Sequence, residues 1–137
     1  MKYSVMAFSK KLDWALLALR LMFGAGMLYG HGLRKLDRLF GDAEIKFADP
    51  FGIGPVPSLV LVVFAEVLCA ALIVLGLFTR WATIPLIIAM LVAVFYAHAS
   101  DPFSDKEMGL LYLTAYVSIA LAGPGWYSVD AQWKARK

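Results

Sequence analysis

Six polar side chains stand in or beside stretches that are otherwise apolar: Arg20, His31, Lys35, Glu66, His98 and Glu107. Their chemistry is that of proton exchange, ion pairing and anion binding. Glu66 is the most telling, because it lies inside the apolar run 58–78, and a charge at membrane depth costs at least a few kcal/mol unless it faces a bundle interior and is paired. At about 100° per residue, Arg20, Gly24, Met27, His31 and Lys35 fall on one helical stripe, and Glu107, Leu111, Thr114 and Ser118 on another. In an alternating bundle His31, His98 and Glu107 lie at one end of their helices, with Glu66 about 12 Å below that end. Arg20, about 9 Å above the opposite end, is the expected partner of Glu66. Such a pair either fixes helix register or forms the polar floor of a ligand cavity.

The catalytic candidates are therefore His31, Glu66, His98 and Glu107, and the substrate-binding candidates Arg20, His31, Lys35 and Glu66. These residues are spread over four helices and match no local ligand motif such as HExxH, so no metal site is expected. A proton-exchanging pocket for a quinone is the more economical reading, since it needs only titratable groups and aromatics, which Tyr29, Tyr96, Tyr112 and Tyr116 supply. Cys69 stands alone, which excludes dithiol chemistry within this chain and suits a small core residue.

Elements able to position these residues follow from composition. Of 137 residues, 61% are hydrophobic and 17% charged, and the mean hydropathy is +0.72. That is the composition of an integral membrane protein. Runs at 14–33, 58–78, 81–98 and 107–122 are each taken as crossing about 30 Å of hydrocarbon. The expected fold is all-α: one transmembrane domain over 1–137, a four-helix bundle running up-down-up-down. Asp13 is the expected N-cap of the first helix, and Pro85 is placed in the first turn of the third. The first helix is expected to be retained rather than cleaved as a signal peptide, because Arg20 interrupts it and no small-residue cleavage site follows.

Between the first two helices lies a segment punctuated by Gly41, Pro50, Gly52, Gly54, Pro55 and Pro57. It is expected to be an ordered cover, folding Phe40, Phe47, Phe51 and Ile53 back onto the bundle. Short links make helices two and three, and three and four, antiparallel neighbours. The tail after Gly123 carries Trp126, Tyr127, Trp133 and basic residues suited to a lipid interface. The formal net charge of +3 is distributed at helix ends, which the positive-inside rule explains without nucleic acid and which places both termini on the cytoplasmic side.

Taken in order, Arg20 with GHGLRKL (30–36), AEVLCAALIVLGLFTRWAT (65–83), AMLVAVFYAH (89–98) and GPGWYSVD (123–130) resemble the DoxX family of small four-helix membrane proteins. The resemblance implies a bundle in the bacterial cytoplasmic membrane, associated with oxidoreductase systems. One related subunit belongs to a thiosulfate:quinone oxidoreductase, and another member to a membrane complex with a superoxide dismutase and a sulfurtransferase. On that basis the chain is expected to be the membrane subunit of an oxidoreductase system, meeting quinone and a small anionic sulfur substrate. A redox partner protein and homo-oligomerisation are the associations expected besides the lipid bilayer. The alternatives are a non-enzymatic scaffold, consistent with the lack of a self-sufficient cofactor motif, and a small transporter, disfavoured by the small volume and the lack of an inverted repeat.

Overall fold

The computed structural model describes residues 2–137, with side chains from residue 9 onward. Among the described residues the structure is helical, without strands. The first rod consists of α1 (Lys2–Met27), a π-helical turn (Leu28–Gly32) and α2 (Leu33–Phe40). The second joins α3 (Pro55–Val63), a π-helical turn (Phe64–Cys69) and α4 (Ala70–Leu75), and the third α5 (Thr79–Val92) and a π-helical turn (Ala93–Ala97). After these come α6 (Phe103–Ala122) and a short tail helix, α7 (Val129–Ala135). Each rod packs against its chain neighbour, and α6 closes the bundle against α1.

Among the described residues three rods are long and apolar enough to cross a membrane: Ser9–Phe40, Pro55–Leu75 and Thr79–Ala97. The fourth expected span is indeed a helix in the bundle, but α6 carries Asp105, Lys106 and Glu107 in its opening turns, which shortens its apolar part. The first rod is longer than expected. Its 32 residues from Ser9 to Phe40 make about 48 Å at 1.5 Å per residue, more than the hydrocarbon thickness.

Local chemistry explains the ends of these elements. Pro55, at the first helical position of α3, lacks only an N–H that would have no intrahelical partner. Gly76 ends α4 in the left-handed conformation, φ 69°, and an added Cβ there would meet the Arg20 guanidinium and the Ser128 side chain. Phe78 also adopts positive φ, and its N–H and that of Thr79 donate to the two carboxylate oxygens of Asp130 at 2.8 and 2.9 Å. Asp130, on α7, thereby caps the start of α5 from outside the helix.

Two expected caps are displaced. Asp13 lies within α1, not before it, because the helical pattern continues back to Lys2; its carboxylate accepts the Trp126 N–H at 2.9 Å. Pro85 lies in the interior of α5, since that helix already begins at Thr79. The core is formed by Met27, Ala65, Cys69, Ala70, Ile73, Leu86, Met90, Tyr112, Tyr116 and Ile119, and Cys69 is a free, buried thiol within it.

Candidate functional site

Glu66 lies near the middle of the second rod, about 16 Å from Pro55 by helical rise, and is 2% exposed. Its partner is Lys35. The Lys35 ammonium donates to both carboxylate oxygens, at 2.7 and 2.6 Å, and its side chain keeps 25% exposure. This corrects the expected Arg20–Glu66 pair. The long first rod runs antiparallel to the second, and the close backbone approach of Gly32 to the Glu66 carbonyl sets the register. Lys35 is thereby level with Glu66, while Arg20 is some turns nearer the tail.

Arg20 serves a different purpose. It is 1% exposed and donates to the carbonyls of Ile73 (3.0 Å), Val74 (3.0 Å), Pro124 (2.8 Å) and Tyr127 (2.8 Å). The first two are terminal carbonyls of α4, beyond its regular i→i+4 bonding, and their partial negative charge favours a cation; that of Ile73 also accepts the Gly76 N–H at 3.2 Å. The guanidinium fork thus joins the end of the second rod to the tail turn, alongside the Asp13 and Asp130 contacts and the packed rings of Trp14 and Tyr127, 4.6 Å apart.

The Lys35–Glu66 pair lies in a cavity of about 170 Å³, shared with His31, His98, Asp105, Lys106 and Tyr112. Met27, Met90 and Met108 contribute to its wall. The His31 and Tyr112 rings meet edge to face at 5.6 Å, and Tyr112 also packs on Phe23 and Tyr116. At the loop end of the bundle His98 Nδ1 lies 2.7 Å from Asp101 Oδ2, and the Lys106 ammonium donates to the Ala99 carbonyl. Of the candidates, the structure brings together His31, Lys35, Glu66 and His98. Arg20 lies apart, and Glu107 is exposed and outside the cavity.

The α6 stripe of Glu107, Leu111, Thr114 and Ser118 is not a cavity wall. The buried face is that of Tyr112, Ala115, Tyr116 and Ile119. Thr114 and Ser118 point away because each hydroxyl is satisfied within the helix, donating to Leu110 and Thr114 carbonyls at 2.8 Å. Asp105 and Lys106 were the residues missed. They are turned into the cavity by the rotation of α6, which the alternation of charged residues at 105–107 does not disclose.

All three rods carry a π turn near the level of the cavity, a feature frequent at functional sites. The wider turns show in i→i+5 hydrogen bonds from Leu33 to Leu28, Ala70 to Ala65, and His98 to Ala93. His31 and Glu66 lie within such turns, and His98 directly follows one. Among the described residues no cluster of His, Cys, Asp and Glu could hold a metal ion.

Long apolar helices around a buried carboxylate–ammonium pair define a helical membrane protein with an intramembrane polar site. More particularly, the chain belongs to the DoxX family, whose sequence model matches residues 15–99. That match includes Arg20, His31, Lys35, Glu66 and His98; α6 and the tail lie beyond it. No curated protein and no solved structure matches the chain.

Proposed function

We propose that this DoxX protein is the membrane subunit of an oxidoreductase system, and that its Lys35–Glu66 cavity exchanges protons with a quinone. The observation that carries this reading is the burial of Glu66 against Lys35 in a cavity also lined by His31, His98 and Tyr112. Lys35 is the hydrogen-bond donor to a ring carbonyl, Glu66 the group that passes a proton to the ring as it is reduced, and His31 and His98 the route by which protons reach them from the loop end. Electrons come from a partner protein, since a lone cysteine provides no dithiol couple. The setting is the bacterial cytoplasmic membrane with both termini inside.

The charge arrangement favours a neutral ring over a small anion beside Glu66, because Lys35 is already answered by that carboxylate. A sulfur anion is accommodated nearer the mouth, beside Lys106. Quinone reduction in reconstituted membranes with candidate sulfur donors tests the reading. Loss of turnover in Glu66→Gln and His98→Ala, with the bundle still folded, is the expected outcome; unchanged turnover in both would remove the role assigned to the site. A scaffold role is the second reading, favoured by the wholly structural engagement of Arg20 with four backbone carbonyls. It predicts that partner capture survives Glu66→Gln.

A further inference from the structure

A second cavity, about 320 Å³ in volume, lies between the second and third rods beneath the segment 41–54. Phe47 and Phe51 cover it, Leu61 and Ala65 form one wall, and Ile88 and Ala89 the other. The volume falls in the range of small-ligand sites, roughly 300–1,000 Å³. Its one polar side chain, Ser58, donates its hydroxyl to Asp49 at 3.0 Å. Water finds no set of polar partners there, and a ligand with hydrogen-bonding groups has no side chain to engage. The matching occupant is a hydrocarbon chain.

Three observations identify its source. Around the rim Phe51, Leu61, Phe64 and Ile88 are 63%, 51%, 46% and 47% exposed, so the cavity opens on a face of membrane-crossing rods, where acyl chains are the solvent. The covering segment exposes Asp42 and Glu44 as well as Lys46, which gives no basic patch to select a charged headgroup. The cavity shares no lining residue with the Lys35–Glu66 cavity, so it is not an extension able to take the tail of a quinone bound there. We infer that this cavity is a preformed site for one acyl chain of a membrane phospholipid. The site is ready-made because Asp49 pins its cover, accepting from Ile53 N–H at 2.9 Å and Gly54 N–H at 2.8 Å as well as from Ser58. Binding therefore carries little cost of ordering the loop.

The test is photolabelling of the full chain in phosphatidylcholine nanodiscs containing a trace of phosphatidylcholine with a diazirine on one acyl chain, with adducts mapped by mass spectrometry. A parallel arm uses a prenylquinone with the diazirine on its tail. The expected result is phospholipid labelling of the segments around Phe47, Leu61 and Ile88 at least about fivefold above that of the exposed Phe95 and Leu121, a modest binding preference in free-energy terms. Ala89→Leu, which fills the cavity, abolishes the excess and leaves Phe95 labelling unchanged. Should that variant fail to fold, Asp49→Asn, which frees the cover, must lower the excess in the same way. Even labelling along the lipid face, an excess indifferent to the folded variant, or enrichment confined to the prenylquinone overturns the assignment.

Discussion

Lys35 reaches both carboxylate oxygens of Glu66, at 2.7 and 2.6 Å, from a helix more than thirty residues away in sequence. Glu66 is nearly inaccessible while Lys35 keeps a quarter of its side chain exposed. The pair is thus asymmetric, a buried acid addressed by a base that can still be reached from the cavity. This asymmetry suits proton exchange better than a fully enclosed pair would.

Removing one partner leaves the other charge stranded. Lys35→Met is expected to lower stability in detergent by about 2–4 kcal/mol, at or below the roughly 3–5 kcal/mol of fully buried pairs because Lys35 is partly exposed. The double variant Lys35→Met/Glu66→Leu should recover most of that loss. Thermal unfolding of the two variants measures both effects; a double variant as unstable as the single one would mean that the pair does not act as a unit.

Arg20 carries the tail. Arg20→Lys keeps the charge but not the planar fork, so most of the carbonyl bonds to Ile73, Val74, Pro124 and Tyr127 are lost. Charge-assisted bonds contribute about 1.5–3 kcal/mol each, and the expected destabilisation is at least about 3 kcal/mol. Chymotrypsin should then cut at Trp126 and Tyr127 much faster than in the wild type, while Glu66-dependent cavity properties are affected less.

The two nearby glycines of the first rod separate close approach from helix propensity. A Cβ at Gly32 would clash with the Glu66 carbonyl, whereas one at Gly30 meets nothing within 4 Å. Gly32→Ala is expected to cost about 1–3 kcal/mol by overpacking, and Gly30→Ala to be neutral or slightly stabilising. Equal melting temperatures for the two variants would contradict the register described for the first two rods.

Asp49 makes the cover of the apolar cavity pH-dependent. The Gly54 N–H foremost, with help from Ile53, Ser58 and Gly52, holds its carboxyl below the ordinary carboxylate range against the opposing effect of desolvation. The folded loop therefore binds fewer protons than the unfolded one. Its stabilisation is complete above the usual carboxylate value near 4 and is lost as pH falls through the depressed folded value. Hydrogen exchange in 41–54, corrected for intrinsic rates, should accelerate on that acidification, and in Asp49→Asn it should be fast already at neutral pH.

Glu66 was legible in the sequence as a charge that had to be answered, and the stripe Arg20, Gly24, Met27, His31 and Lys35 does turn inward. Which cation answered was not legible. The choice depends on the register between two rods joined by 41–54, and on a first rod that runs on to Phe40; neither leaves a periodic signal. Arg20 looked like an ion-pair partner because sequence patterns show side-chain charges, while its actual acceptors are backbone carbonyls at helix and turn ends. On α6 the polar stripe misled because hydroxyls satisfied by their own helix can face outward, leaving Tyr112 and Tyr116 to fill the interior. The π turns add a further displacement, since a wider turn shifts every later side chain off a 100° pattern.

Equilibrium binding of a short-chain quinone to proteoliposomes, compared among wild type, Glu66→Gln and Glu107→Gln, tests the central claim most directly. Glu66 lines the polar cavity and Glu107 does not. Saturable binding is expected to weaken about tenfold or more in Glu66→Gln, the loss of at least one charge-assisted contact, and to be unchanged in Glu107→Gln. Binding equally tight in all three proteins would contradict the claim.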